Sequence, residues 1–126
     1  MPATRRGPAA FMSSAIGKAS RNKTPTPSAA AIIAEQMQTL AAAVVERYYR
    51  TNRSLDRFGA KGRARCIEDT EYHLSFLVAA LDSRSIKQFV DYCGWAKVLL
   101  HSRGIDVAHF IGNLRHLQSV LKSKLL

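Results

Sequence analysis

The sequence predicts an all-α protein: a four-helix, globin-like or bundle domain that follows a disordered basic N-terminal arm. Three observations support this fold class. Apolar residues recur at helical spacing in four segments, the longest apolar run is too short to span a bilayer, and the first part of the chain is basic and rich in proline, glycine and serine. The chain has 126 residues, enough for one domain. We therefore expect an arm over residues 1–27 and a helical domain over residues 28–126.

The arm accounts for half of the net positive charge of the chain. Residues 1–34 hold five basic side chains and no acidic one, whereas the formal net charge of the whole chain is +10. Such a segment buries too little apolar surface to offset its chain entropy, so we expect it to be disordered. Its arginines and serines also resemble a mitochondrial transit peptide. A solvated basic tail is favoured, because Pro25 and Pro27 are typical of a linker.

Four helices follow the arm. Helix A begins at a Ser28 cap and runs to about Arg50, helix B covers about 62–81, helix C about 84–102 and helix D about 107–125. Residues 51–61 form a connector, and we see no convincing strand. The predicted core stripes are Ile33, Met37, Leu40, Val44 and Tyr48 in helix A; Ile67, Leu74, Leu77, Val78 and Leu81 in helix B; Ile86, Phe89, Val90, Cys93, Ala96 and Leu100 in helix C; and Phe110, Leu114, Leu117 and Leu121 in helix D.

Helix B contains the central stretch of the chain, EDTEYHLSFLVAAL, from Glu68 to Leu81. Its first turns are acidic, which suits the positive end of a helix dipole. His73 lies on the same face as apolar residues, so we expect it to be at least half buried. It is then either a core histidine with a hydrogen-bonded neighbour or a residue that senses a ligand or pH.

Short turns make helices B, C and D antiparallel neighbours, and this arrangement predicts a layer of polar side chains. His73 lies level with Tyr92 across helices B and C, and Tyr92 lies level with His116 across helices C and D. Two histidines and a tyrosine can bind a metal, a haem or a polar ligand. They can equally form a buried hydrogen-bond network or point to different sides.

The two cysteines favour a reducing compartment. In the antiparallel arrangement Cys66 lies level with Leu99, about 9 Å along the axis from Cys93, which is too far for a disulfide. Two free buried thiols suit the cytoplasm, which is the location we expect. The amino terminus lacks a continuous apolar segment, so neither a secretory signal nor membrane insertion is expected.

A second group of positive charges lies around the connector, interleaved with aromatic residues. Arginines beside aromatics suit phosphate contact and base stacking, although a solvated face or a docking surface for an acidic protein partner explains them equally. A helix-turn-helix is disfavoured, because helices B and C are too long. The members of this candidate basic contact surface are Arg47, Arg50, Arg53, Arg57, Lys61, Arg63 and Arg65.

No pattern indicates an enzyme. The chain has no GxSxG, P-loop, HExxH or glycine-rich dinucleotide turn. Glu68 and Glu71 could act as paired carboxylates, but charge at a helix start is their simpler role. His109 and His116 are too far apart on one helix for an i, i+4 metal pair. We therefore expect no catalytic residues, no metal and no cofactor.

Several segments between about residues 40 and 125 carry a family resemblance: ERYYR, GRARCIEDTEYHLSFLVAAL, FVDYCGWAKVLLHSRGI and LRHLQSVL. They resemble an all-helical domain of bacterial signalling and regulatory proteins, often found ahead of a cobalamin-binding or other effector domain. The resemblance implies a sensory or protein-interaction role. Residues 1–126 contain no DxHxxG-type segment, so cobalamin binding is not expected. We predict a non-enzymatic bacterial regulatory or sensory domain that acts through protein–protein contacts; the alternative is a basic nucleic-acid-associated protein.

Overall fold

The computed structural model describes residues 28–125, which form helices and short connections without a strand. The predicted all-α class is therefore confirmed. The predicted arm, residues 1–27, lies outside the described residues, as does Leu126. The elements in order are α1 (Ala29–Glu35), α2 (Met37–Thr51), a 3-10 helix (Arg53–Phe58), α3 (Gly59–Ser83), α4 (Ile86–Ser102) and α5 (Val107–Leu125).

Predicted helix A is two helices, because the backbone departs from helical geometry at Gln36. Its φ is −109° and its ψ is 22°. The hydrogen-bond ladder still passes through the break: the Gln36 N–H donates to Ile32 O at 3.2 Å, and the Leu40 N–H donates to Gln36 O at 2.8 Å. The apolar stripe also continues across it, so periodicity could not reveal the break. Ser28 caps α1 as predicted, and its Oγ accepts from Ala31 N at 3.1 Å.

The connector is more ordered than the sequence predicted. It forms a 3-10 helix, and α3 begins at Gly59, where a φ of 72° suits glycine. At the other end of α3, Arg84 takes the left-handed conformation, with a φ of 56°. Ser85 then caps α4, its Oγ accepting from Gln88 N at 3.2 Å. The α3–α4 connection is therefore a two-residue turn, which makes the two helices antiparallel neighbours.

The main core lies where α1 and α2 pack across α3. Leu40, Val44, Leu74 and Val78 are 0–1% exposed, and the carboxyl half of α5 covers the same cluster through Leu117. Fully burying side chains of this size contributes roughly 1.5–3 kcal/mol each. A second core joins α3, α4 and α5; its buried members are Phe76, Tyr92, Ala96, Leu100 and Phe110.

Helix α4 buries a narrower face than its apolar pattern predicted. Ile86 and Val90 were predicted to face inward, but they are 83% and 58% exposed, and Val98 is 69% exposed. Leu81, at the end of the α3 stripe, is also 42% exposed. The reason is that α4 packs on α3 and on only part of α5, so one side of its apolar surface has no neighbour among the described helices.

Two glycines should respond in opposite ways to alanine. A Cβ at Gly112 would lie 2.8 Å from the Tyr48 hydroxyl oxygen, whereas a Cβ at Gly94 would meet nothing within 4 Å. We expect Gly112→Ala to lower the free energy of unfolding by about 1–3 kcal/mol through overpacking. Gly94→Ala should raise it by about 0.5–1 kcal/mol, because alanine loses less backbone entropy in a helix. Urea unfolding of both variants checks this, and equal effects would contradict the close α2–α5 contact.

Candidate ligand-binding pocket

Two of the three side chains of the predicted polar layer meet in the core. His73 Nδ1 lies 2.6 Å from the Tyr92 hydroxyl oxygen, and the two groups share a hydrogen bond. His73 is 3% exposed and Tyr92 is 4% exposed. The Phe76 ring stacks on Tyr92 with 4.1 Å between centroids, and the Phe110 ring meets His73 edge-on at 5.2 Å. Packing and the hydrogen bond therefore hold both side chains in place.

The structure does not bring His116 to this pair. Its Nδ1 accepts from Arg47 Nε at 3.2 Å, its Nε2 lies 3.3 Å from Thr51 Oγ1, and its ring lies 5.3 Å from that of Tyr48. Tyr92 and His116 were predicted to lie level across helices C and D. They do not, because α5 packs chiefly along α2 and only partly along α4. The predicted layer therefore contains only His73 and Tyr92. His116 of α5 contacts residues of α2 instead.

The His73–Tyr92 pair is uncharged at neutral pH. Burial lowers the pKa of His73 to about 4 and raises the pKa of Tyr92 far above its ordinary value of 10.0. A charge on either group would lose its hydration without gaining an opposite charge at contact distance. The pair therefore belongs to the structural core at neutral pH, and a change in its charge requires acidic conditions.

A cavity of about 310 Å³ lies beside this pair. The 3-10 helix, the α4–α5 connection and parts of α2, α3, α4 and α5 border it. Its floor consists of buried side chains, among them His73, Phe110 and Asn113, which are 3–4% exposed. Its rim includes the exposed residues Arg57 and Arg65. The cavity is therefore partly open to solvent and has buried side chains at its base.

Asn113 supplies an unsatisfied polar atom to the floor. Its Nδ2 donates to Thr70 Oγ1 at 2.8 Å and to Cys66 Sγ at 3.6 Å. The Thr70 hydroxyl in turn donates to Cys66 O at 2.7 Å. Asn113 Oδ1, however, is buried and accepts no hydrogen bond from the described part of the chain. An acceptor left in that state costs about 1–3 kcal/mol.

Asn113 was missed at the level of the sequence, although a signal for it exists. It lies between Phe110 and Leu117, one turn from each, on the apolar stripe of helix D. A polar residue inside such a stripe is expected to be buried and to need partners. The same reasoning applies to Thr70, which is 0% exposed on α3. Neither residue belongs to a sequence motif, so side-chain type alone did not indicate a site.

Carboxylates and thiols near the cavity are held in defined states. Asp69 lies 4.0 Å from Arg103, and burial raises the pKa of its carboxyl group. Asp106 caps α5, with Ala108 N donating to its Oδ1 at 2.9 Å. Burial also raises the pKa of the Cys66 thiol, so Cys66 is a protonated neighbour of the cavity rather than a nucleophile.

The rim depends on a close contact between the 3-10 helix and α3. Phe58 is 46% exposed and stands over Gly62, where an added Cβ would come within 2.5 Å of Phe58 Cβ. The Arg57 guanidinium lies over the Phe58 ring, 4.9 Å from its centroid. The glycine therefore allows the aromatic ring and the guanidinium to stand beside the opening.

Most of the candidate basic contact surface is engaged within the chain. Arg50 pairs with Glu46 at 3.4 Å and Arg53 pairs with Asp56 at 3.2 Å. The Arg63 guanidinium lies 5.0 Å from the Tyr49 ring centroid. Such exposed pairs are worth at most about 1 kcal/mol and can be exchanged for other partners.

The remaining members of that surface have different neighbours. Arg47 contacts His116, whereas Arg57 and Arg65 border the cavity. Lys61 is exposed on the first turn of α3. The seven residues therefore divide between a solvated connector and the rim of a pocket, and their binding to a partner stays a prediction.

Comparisons with known proteins give no assignment. No family model, no curated protein and no solved structure matches the chain. The resemblance to bacterial signalling domains therefore stays a prediction. Within residues 28–125, no three side chains among His, Cys, Asp and Glu form a group that could hold a metal ion. None of the helices in that range is both long enough and apolar enough to cross a membrane.

The buried histidine predicts a stability loss in acid. Below the ordinary pKa of 6.5 the unfolded chain takes up a proton at His73, whereas the folded chain does so only near pH 4. The free energy of unfolding should therefore fall by at most about 1.4 kcal/mol per pH unit between these values. His116, whose pKa is also lowered, acts in the same direction, and the raised pKa of Asp69 opposes both.

Urea unfolding between pH 7 and 4 measures this slope. His73→Gln should flatten it, because glutamine keeps a polar group of similar length without titrating. The matched control is His101→Gln, at an exposed position near the end of α4, which should leave the slope as in the parent chain. If His73→Gln keeps the pH slope of the parent chain, His73 is not the cause of that slope.

The unsatisfied acceptor predicts an unusual result for Asn113→Leu. Thr70 Oγ1 still donates to Cys66 O when Asn113 is lost, so the substitution removes an unsatisfied group at little cost. We expect the free energy of unfolding of the unliganded chain to stay unchanged or to rise by about 1 kcal/mol. The reverse exchange one turn away, Leu117→Asn, should lower it by roughly 2 kcal/mol or more. Thermal melts compare the two; equal losses would mean that Asn113 is an ordinary core residue.

Proposed function

We propose that the chain is a non-enzymatic regulatory domain of the sensory kind, which receives a small molecule in the cavity and acts through protein contacts. The observation that carries the proposal is the cavity of about 310 Å³, which buried aromatic and polar side chains border. Asn113, one of the bordering residues, also holds a buried acceptor without a partner in the described chain, and departures of this kind from a satisfied core are expected at functional sites.

The size and lining of the cavity support a small molecule. Its volume of about 310 Å³ lies at the lower end of the range of roughly 300–1,000 Å³ found for ligand pockets. Aromatic side chains supply much of its wall, and only a few polar groups interrupt them. Such a lining combines apolar contact area with a small number of orienting hydrogen bonds.

The groups beside the cavity suit binding rather than bond cleavage. Burial keeps His73 neutral and bonded to Tyr92, so its Nδ1 is engaged. The Cys66 thiol is protonated, because burial raises its pKa. General-base and nucleophilic catalysis both need groups with the opposite properties. The proposed function is therefore non-enzymatic, as the sequence predicts.

A path of direct contacts joins the cavity to α4. His73 borders the cavity and bonds to Tyr92 on α4, and the Tyr92 ring lies 6.0 Å from that of Trp95. Arg103, just after α4, lies beside Asp69 of the cavity wall. A ligand that presses on His73 or Asp69 therefore acts on α4, the helix with the most exposed apolar surface in the described chain.

The exposed face of α4 supports the protein-contact part of the proposal. Ile86, Val90 and Val98 are spaced at four and eight residues and form one apolar ridge. An apolar ridge on a helix suits burial against another protein. Residues 28–126 carry 14 basic and nine acidic side chains, a net charge of +5. The partner that fits is therefore a protein with an acidic surface. The two free thiols and the family resemblance support a bacterial cytoplasmic location.

Nucleic-acid association, the alternative, has less support. Five of the seven residues of the basic contact surface already contact side chains of the chain itself. Arg65, a sixth member, borders the cavity. A nucleic acid would have to exchange these weak contacts for its own, and the seven residues are divided between the connector and the rim of the cavity.

The single tryptophan provides a test of sensing. Aromatic fragments of neutral, anionic and cationic classes are added to the full chain at up to about millimolar concentration, a range suited to weak fragments. We expect at least one class to shift the backbone amide signals of Phe110 and Asn113 and to change the emission of Trp95. If no class moves those signals, the sensory proposal fails.

Tyr92→Phe separates binding from transmission. It keeps the ring that stacks on Phe76 but removes the hydroxyl that bonds to His73. The cavity amides should still shift in this variant, while the change in Trp95 emission should fall by at least half. An unchanged emission response would show that the His73–Tyr92 bond does not transmit the signal.

A further inference from the structure

We infer that the exposed face of α4 is a self-association surface, against which a second copy of the chain packs about a two-fold axis at Gly94. This inference goes beyond the proposed function and names one occupant for the ridge of Ile86, Val90 and Val98. Three observations support it in turn: an exposed apolar row, a glycine at its centre that the described chain does not require, and charges that match those of a second copy.

The apolar row runs along α4 at intervals of about one helical turn. Ile86, Val90, Gly94 and Val98 are spaced four residues apart, and rows of this spacing are the ridges by which helices pack on one another. The three aliphatic side chains are 58–83% exposed. Single exposed aliphatic residues are ordinary, but several in one row mark an interaction surface.

Gly94 lies in this row, one turn from Val90 and one turn from Val98. Glycine inside a helix costs backbone entropy relative to alanine. Nothing in the described chain requires it, because its φ is not positive and an added Cβ would meet no atom within 4 Å. The missing side chain instead leaves an open place on the ridge, where the backbone of another helix can approach closely.

The charges beside Gly94 match those of a second copy. Asp91 lies three residues before the glycine and Lys97 three residues after it, so they stand on opposite flanks of the ridge. A half-turn about Gly94 exchanges the two positions. When two α4 helices cross there at a steep angle about a two-fold axis, Asp91 of each copy therefore faces Lys97 of the other. A two-fold interface forms this contact twice.

Both charged groups are available for the contact. Asp91 pairs with Lys87 at 2.7 Å, but both side chains are exposed, and such a pair exchanges partners easily. Lys97 is exposed and forms no ion pair with a carboxylate of residues 28–125. The face carries these two lysines and one aspartate, so most of the positive charge that favours an acidic partner lies on other surfaces.

The contact area is small, so the dimer is expected to be weak. An interface made by one helix from each copy falls in the class that buries less than about 1,200 Å² in total and forms transient complexes. Self-association should therefore be visible at high protein concentration and reverse on dilution.

Sedimentation equilibrium of the full chain, from about 10 µM to about 1 mM, tests the inference. We expect a reversible monomer–dimer equilibrium, with the backbone amide signals of Val90, Gly94 and Val98 shifting as concentration rises. Asp91→Lys and Lys97→Asp should each weaken the dimer by about tenfold or more, because like charges then face each other. The two exchanges combined should restore the dissociation constant to within about threefold, because the ion pairs form again with reversed sign.

Gly94→Gln tests the close approach separately. Its long polar side chain occupies the crossing point and should weaken the dimer by about tenfold or more, while the fold is kept because glutamine is the better helix former. Lys122→Asp is the matched control for charge: Lys122 is exposed in the last turn of α5, whose carboxyl half covers the main core. It should change the dissociation constant by less than about twofold. Circular dichroism melts confirm that each variant is folded.

The inference is overturned if the chain stays monomeric to about 1 mM, and the ridge is then left to an unlike protein. A dimer that keeps its affinity in Gly94→Gln and in both single charge exchanges also overturns it, because the copies then meet at another surface. If the combined exchange restores nothing, the two-fold pairing of Asp91 with Lys97 is wrong.

These results are independent of the cavity. A monomer whose Phe110 and Asn113 amides respond to fragments loses the second copy and keeps the proposed function. A dimer whose Phe110 and Asn113 amides respond to no fragment keeps the second copy and loses the proposed function.

Discussion

The packing of α1 and α2 across α3 is the contact on which the rest of the described structure depends. Leu40, Val44, Leu74 and Val78 leave almost no surface to solvent at this crossing, and Ala41, 0% exposed, lets the backbones approach. Because α1 and α2 hold one face of α3, α4 packs against the opposite face. Both the His73–Tyr92 bond and the cavity follow from this arrangement, because α3 supplies one wall to each.

A single helix thus serves an apolar core on one face and a polar cluster on the other. Thr70 lies next to the apolar crossing, yet its hydroxyl satisfies both a main-chain carbonyl of α3 and the Asn113 amide of α5. Buried polar groups of this kind are tolerated where every member has a partner. Here the network closes except at one atom, Asn113 Oδ1. The exception belongs to a residue that borders the cavity and not to the apolar crossing.

The sequence predicted the parts of the structure that depend on local pattern. Helical periodicity located the helices, and the short turn after Ser83 placed His73 level with Tyr92 correctly, since two antiparallel neighbours share one register. It failed where position depends on several helices at once. By the same arithmetic His116 was predicted to lie level with Tyr92 of α4, but α5 packs chiefly along α2. Ile86 and Val90 were assigned to the core because periodicity marks an apolar face without showing whether another element covers it.

The cavity itself was beyond reach of the sequence for a similar reason. Its borders come from five elements, and no pair of lining residues forms a spacing motif. Asn113 could have been singled out as a polar residue within an apolar stripe, but its free oxygen follows from the positions of Thr70 and Cys66 on another helix. The sequence grouped Arg57 and Arg65 with the other basic residues of the candidate contact surface. Only the fold shows that these two border the cavity.

The contact between Gly62 and Phe58 fixes the entrance of the cavity. Any side chain at position 62 would displace Phe58 from above it, and Phe58 carries the Arg57 guanidinium on its ring. Neither Gly62 nor Phe58 belongs to the buried core clusters. A substitution at position 62 would therefore have to move the 3-10 helix itself, because the clash is with the first carbon of the Phe58 side chain and not with its mobile end. The shape of the cavity entrance is thus tied to the absence of a side chain at a single position.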